Sequence, residues 1–453
     1  MRLKKKQPTN KFIVKKNKSK LNSKSVIKLP IALESLLNKF KRNKFSSLKF
    51  TTLFSFAKSL LGKRKKLITY FFVIIIISIL IAIFAFLRLK SNQIQIQSFV
   101  ESEEKLANLY NNKTQNILFV NFKEGSDSNK FAEYISILSF DKTNNNLKIL
   151  AVEPSLSIYY KNKAYTLKTL YNNINENIET KTSIFKNSLA GLLGVRIDGY
   201  FFTENEAYSN FIKTKNLGLT LNENYKVDNK FYKIGEFIQG EDLLKYLHII
   251  ESEEIIESSL YRNNLFVTNM LQSNRNILFT ISSFFQADLF TNTFKTNLDK
   301  DSALRFYNDI FFQSNLPIQS QYIQIKDGYF IDTFAGKGLY VNQIDIDNKV
   351  QEVFRDLDIV REQAKIEVLN ASKVSGLATI NKKIIQNSGG NVVNSGNYST
   401  IEENTTLYLI DSNIKDYANT ISLIQSLYPN VVIKDSGYKY NKLGNVILVI
   451  GEN

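Results

Sequence analysis

The hydropathy of the chain changes texture four times. Up to Lys66, apolar residues are separated by lysines. Leu67 to Leu87, LITYFFVIIIISILIAIFAFL, is then a run of 21 residues without a charge. About 20 apolar residues span the roughly 30 Å of hydrocarbon in a bilayer, and this run is apolar on every face. The pattern therefore predicts a transmembrane helix over 67–88. GKRKK and the basic tail in front of it outweigh Arg88 and Lys90 behind it, so a cytoplasmic N-terminus and extracytoplasmic C-terminal domains are expected. The basic region is too long for a secretory n-region, which predicts an uncleaved signal anchor. On this reading 1–66 is a basic cytoplasmic tail and 89–115 a polar stalk.

From Asn116 the pattern is that of strands: NILFVNF, YISILSF and LKILAV, the last two joined by a polar turn at Asp141 to Asn146. Ser188 to Ile212, SLAGLLGVRIDGYFFTENEAYSNFI, reads as helix, turn at Gly194, strand and helix. Gly240 to Leu271 is helical and carries His248 and Arg262. This alternation predicts an α/β domain with a mixed sheet over 116–310. A connector over 311–363, ending in the charged DLDIVREQ, leads to a second pattern at 364–453. There a strand, a turn through Asn370 to Gly376, a helix and a Gly389-Gly390 stop are followed by TTLYLID, YANTISLIQSLYP, VVIKD and NVILVIGEN. This predicts a small two-layer α/β module. Its glycine turn has neither the GxGxxG spacing nor the Walker lysine, so Asn370 and Ser375 are expected as turn and cap residues and Gly376 as a site of close packing.

Composition narrows the chemistry. The 453 residues include no cysteine and one histidine, which excludes a thiolate site and leaves any Ser-His-Asp triad dependent on His248. The formal net charge is +17, but residues 1–66 hold 21 Lys and Arg against Glu34, a local net of +20, so the rest nets −3. The basicity belongs to the tail. Three uses of the tail are expected in this order: a topology determinant, an amphipathic helix on anionic lipid, and, well behind, a nucleic-acid arm.

The order NILFVNF, YISILSF with LKILAV, LLGVRIDGYFF, and GEDLLKYL to YRNNLF resembles the LytR-CpsA-Psr family, closed by FKTNLDKDSALRFYNDI at Phe294 to Ile310. Residues 364–453 resemble the LytR C-terminal domain, through Val368, Leu369, Asn370, Ala371 and Gly376, Leu377, Ala378. The resemblance implies an envelope protein facing the cell wall that transfers glycopolymers from polyprenyl pyrophosphate carriers, with arginines and a carboxylate holding the pyrophosphate and Mg²⁺. At the corresponding positions this chain has Phe131, Ala132, Glu133 and Tyr134, then Glu153, Pro154 and Ser155. His248 stands where the family has an arginine, and Arg262 is the one guanidinium in place.

Pyrophosphate transfer needs several preorganised cations. The expectation is therefore a single-pass, membrane-anchored envelope protein that binds or scaffolds at the wall without catalysis and without a cofactor. KILAVEPSLS, 148–157, is expected to end in a turn. Glu133, His248 and Arg262 are the residual catalytic candidates, Glu133 the residual metal ligand, and Arg262 is expected to pair with Glu251, Glu253 or Glu254. The alternatives are an active Mg²⁺-dependent glycopolymer transferase and a tethered regulator that binds nucleic acid through the tail. Cell-wall polymer or other envelope proteins, and the membrane, are the expected partners.

Overall fold

The first strand is buried on both faces, as its unbroken apolar run requires: β1 (Thr114–Glu124) is covered from Gln115 to Phe122. The computed structural model describes residues 72–83, 85–86, 113–125, 129–227, 230–247, 256–273, 289, 292–303, 305–306, 317–334, 336–410, 414–435, 437–438 and 443–452. The chain divides into two units, Met1–Phe84 and Ala85–Asn453.

In the first unit only 72–83 is described, a helical stretch whose residues are all exposed. Among the described residues no helix is long and apolar enough to cross a membrane. The expected single-pass helix, and with it the signal anchor, the membrane-anchored function and the single-pass localisation, is corrected on this finding. The tail 1–66, and 67–71, 84, 87–112 of the expected span and stalk, lie outside the described residues.

The second unit is built on a six-stranded mixed sheet. Two further strands follow β1, β2 (Lys130–Asp141) and β3 (Asn146–Val152), then a small hairpin, β4 (Ser157–Tyr160) and β5 (Lys163–Thr166). Helices α1 (Leu167–Asn173) and α2 (Ile178–Leu193) lead to β6 (Gly199–Glu204) and α3 (Asn205–Thr214). After α3 come the short strands β7 (Gly218–Thr220), β8 (Tyr225–Val227), β9 (Lys230–Tyr232) and β10 (Phe237–Gln239), then α4 (Gly240–Tyr246) and α5 (Ile256–Ser273). Strands β11 (Lys295–Thr296) and β12 (Ile318–Ile323) complete the sheet in the order β11-β6-β1-β2-β3-β12. The pairs β1–β6 and β3–β12 are parallel, and the rest antiparallel. A hairpin, β13 (Gly328–Thr333) with β14 (Gly336–Val341), precedes α6 (Gln343–Phe354) and α7 (Leu357–Glu362).

Alternation along the strands sends side chains into two cores. Ile117, Phe119 and Ile149 face a core closed by α3, α4 and α5, whereas Leu118, Val120 and Leu150 face one closed by α1, α2 and α6. The stretch expected as a connector supplies the edge strand β12 and, through Ile346, Val350 and Val353, part of the second core. Its strand, IQSQYI, is half polar because only one flank is paired.

The last 90 residues form a five-stranded mixed sheet from β15 (Lys365–Asn370), β16 (Asn391–Asn397), β17 (Thr406–Leu409), β18 (Val432–Lys434) and β19 (Val446–Ile450), ordered β16-β15-β19-β17-β18. Helices α8 (Leu377–Asn387) and α9 (Ala418–Leu427) cover it. Asn370 acts as the turn residue, its Oδ1 accepting from Ser372 N at 3.0 Å and its Nδ2 donating to Val374 O at 2.9 Å. Ser375 does not cap α8: the N-cap is Gly376, left-handed at φ +84°, without a side-chain bond. Lys383 and Asn387 on α8 donate to the terminal carbonyls of α2 at Leu192 and Leu193. These are the free acceptors that every helix C-terminus leaves, and the lysine also suits the negative end of the helix dipole.

Candidate functional site

In open α/β sheets, ligands gather at the carboxyl ends of parallel strands. One such pair of ends is that of β1 and β6, paired through Phe122 and Glu204. Glu133 is brought to the same place by a β-bulge. Asn121 pairs with Tyr134 and Phe122 with Ala132, which leaves Glu133 as the extra residue on β2. The cores confirm the irregularity. Ala132 and Tyr134 are two apart and would normally share a face, yet they lie in opposite cores. Bulges commonly re-aim a side chain beside a functional site.

The re-aimed carboxylate meets a polar network. Asn205, the first residue of α3, donates through Nδ2 to Glu133 Oε2 at 2.9 Å and accepts from Asn121 Nδ2 at 2.5 Å. Lys123 Nζ lies 4.0 Å from Glu133 Oε1. Beside this pair, Lys130 donates to Glu204, and its backbone N–H is held by Asn172 Oδ1 at 2.7 Å. Burial alone would raise the Glu204 carboxyl, but the hydrogen bond and charge of Lys130 and the field of Lys295 hold it below its ordinary value. Lys181 is shifted down by burial and then by Lys130, and its ammonium lies 4.9 Å from the Tyr171 ring centre. Lys123 and Lys130 thus face Glu133 and Glu204 directly, with Lys181 and Lys295 in the surrounding field.

Glu133 is half-buried inside this network. Its carboxylate already faces an ammonium and an amide donor, and among the described residues no three acidic or histidine side chains converge on a point. Mg²⁺ is usually held by one or two carboxylates together with waters and substrate phosphates, and here the Glu133 carboxylate is already engaged by Asn205 and Lys123.

Arg262 is engaged by groups other than Glu133. It is 6% exposed, its Nε donates to Glu223 Oε1 at 3.1 Å, and its guanidinium lies 4.6 Å from the ring centres of both Tyr225 and Tyr246. The expected partners Glu251, Glu253 and Glu254 lie outside the described residues, as does His248. The partner observed is Glu223, on the loop before β8. Stacking and ion pairing together commit the charge inside the fold.

The stretch KILAVEPSLS ends in a turn. Strand β3 stops at Val152, and the buried Glu153 carboxylate accepts from Ser155 N at 3.2 Å and Oγ at 3.0 Å. Leu156 N closes the turn onto Glu153 O at 3.0 Å. On the α3–α5 side of the sheet, Phe119 packs with ring centres 5.9 Å from Tyr134, 5.9 Å from Tyr208 and 6.0 Å from Phe294.

Asn121, Asn205, Lys123 and Lys130 were not singled out by sequence. Their one signal is position: NFK closes the first strand, and TEN marks the end of β6 and the start of α3.

The fold is a mixed-sheet α/β body followed by a small α/β module, and the family match at the C-terminal end agrees with the LytR C-terminal resemblance read from the sequence. Residues 363–453 match the family described as LytR cell envelope-related transcriptional attenuator. Among solved structures the chain is similar to B. subtilis TagV, with 11% identity, a TM-score of 0.44, and coverage of 62% of this chain and 98% of that one. It is also similar to protein gbs0355 from Streptococcus agalactiae, with 15% identity, a TM-score of 0.41, and coverage of 52% and 85%. At such identities neither likeness speaks to activity or ligand. No curated protein matches the chain in sequence.

Proposed function

We propose that this chain is a cell-envelope protein of the LytR-CpsA-Psr kind that holds an anionic wall polymer by charge and does not turn over a polyprenyl pyrophosphate. The observation that carries the reading is the enclosure of Arg262 between Tyr225, Tyr246 and Glu223. A transferase spends its arginines on the phosphates of the transition state, whereas this one is spent on the fold. Glu133 is likewise engaged, by Asn205 and Lys123. What the strand end offers is a cluster of lysine ammonium groups, which attract a polyanion without fixing it in a reactive geometry. The domain division belongs to the same proposal: one body to about Phe354, a short elbow, and the C-terminal module from about Ala364.

Co-sedimentation of the purified chain with isolated wall sacculi tests this reading. The chain is expected to pellet with sacculi, to be released by salt, and to lose most of its retention when Lys123, Lys130 and Lys181 are all changed to Gln. Retention that is absent, or that the triple variant leaves intact, would overturn it.

A further inference from the structure

The opposite end of the same sheet carries a second polar site. On the face that buries Leu118, Ile137 and Leu150, the alternation continues into polar residues. Ser139 pairs with Lys148, Asp141 with Asn146, and Thr114 with Asp141. A sheet face that changes from aliphatic to polar while still covered costs free energy unless the polar groups find partners. Here they line a cavity of about 340 Å³, roofed by the α6–α7 elbow with Arg355 and Asp356. That volume is at the lower end of the range, roughly 300–1,000 Å³, of small-molecule sites.

The charges in the cavity are unequally committed. Asp141 is used by its own turn, accepting from Thr143 N at 2.8 Å and from Asn144 Nδ2 at 2.7 Å. Asp356 caps α7 through Asp358 N at 2.8 Å and faces Lys113 Nζ at 3.5 Å. Asp358 takes Arg361 at 2.9 Å. The side chains of Lys148 and Arg355, by contrast, make no hydrogen bond or ion pair with a described residue. Burial pushes the Lys148 amine below its ordinary value, against the opposing fields of Asp141 and Asp356. Asn146 Oδ1 is buried without a hydrogen-bond partner among the described residues. The cavity therefore holds two cations that no described side chain engages by a hydrogen bond or ion pair, and a buried acceptor without a donor among the described residues.

We propose that this cavity binds an anionic polyol, a sugar or glycerol unit bearing a phosphate or carboxylate, with Lys148 and Arg355 on the anion and Asn146 Oδ1 accepting from a hydroxyl. The site is separate from the lysine cluster at the carboxyl ends of β1 and β6. It would give the protein a second point of contact on a repeating polymer, next to the elbow that leads into the C-terminal module.

Isothermal titration of the full chain tests the proposal, with glycerol 3-phosphate, galacturonate and galactose as probes. At least one anion is expected to bind and galactose to fail, and which anion binds identifies the source of the charge. The double variant Lys148→Gln/Arg355→Gln should weaken binding at least tenfold. Arg355→Gln alone, at an exposed side chain, should weaken it several-fold without affecting the fold. The Lys123/Lys130/Lys181 triple variant should bind as the parent does, which separates this site from the wall-retention reading. Three results would overturn the proposal: no heat from either anion at millimolar concentration, galactose binding equal to that of the anions, or parental affinity in the double variant.

Discussion

Glu362 offers a quantitative test of how the C-terminal module is attached. The N-cap residue of α9, Tyr417, makes no side-chain cap, so the free N–H groups of that helix must be satisfied elsewhere. Glu362, the last residue of α7, does this with both oxygens. Oε1 accepts from Asn419 N at 2.6 Å and Asn419 Nδ2 at 2.9 Å, and Oε2 from Thr420 N at 2.8 Å and Thr420 Oγ1 at 2.6 Å. Thr420 is fully buried, so water cannot readily replace the lost acceptor. Loss of a helix cap costs about 0.5–2 kcal/mol, the charge at a helix N-terminus contributes about 0.3–1 kcal/mol, and an orphaned buried hydroxyl costs about 1–3 kcal/mol. These overlap, and Glu362→Ala should therefore destabilise by about 2–4 kcal/mol. With a urea slope of about 2 kcal/mol/M, the midpoint followed by far-UV circular dichroism should fall by about 1–2 M. Amide exchange at Asn419 and Thr420 should lose protection first. A variant within about 0.5 kcal/mol of the parent, the usual range of a neutral surface change, would refute the reasoning.

Three further outcomes are expected. Burial lowers the Lys215 amine to about 8, so its cost to folding is fully present below that pH and is relieved as pH rises from about 8 towards its ordinary 10.5; relative to Lys215→Met, the parent should gain stability between neutral pH and about pH 10. Glu204 is held low, so its pair with Lys130 contributes above the ordinary carboxylate value of 4.5 and is lost as pH falls through the folded value; Lys130→Gln should move the Glu204 titration upwards in a carboxyl NMR experiment. Gly194 closes α2 at φ +63°, and an added Cβ would lie 2.5 Å from Lys383 Cγ and 2.6 Å from Asn387 Nδ2; Gly194→Ala should cost about 1–3 kcal/mol and loosen the contact of α2 with α8, read as faster amide exchange in both.

The strands of both sheets were legible because each is a short apolar run bounded by turn residues, and a doubly covered strand such as β1 needs no alternation to be recognised. β12 was hidden because an edge strand with one polar flank, IQSQYI, reads as a connector. Glu133 could be found by resemblance, but its setting could not. The bulge that re-aims it is a matter of register, and its partner Asn205 lies 72 residues away in sequence. Among the described residues Arg262 meets Glu223, 39 residues upstream, a partner that helical reach could not suggest, while the nearby acids expected for it lie outside the described residues. The apolar run at 67–87 met a length criterion on composition, whereas among the described residues no helix is long and apolar enough to cross a membrane. The cavity near Lys148 left no trace, since polar residues at strand ends look like ordinary fraying until a second element covers them.

The most direct test of the central claim is to incubate the full chain with a polyprenyl pyrophosphate-linked saccharide and Mg²⁺ and to measure release of polyprenyl phosphate. With Arg262 committed to Tyr225, Tyr246 and Glu223, release is expected to stay at the protein-free level. Release above that level, abolished by Arg262→Gln in a variant with a parental circular dichroism spectrum, would contradict the account.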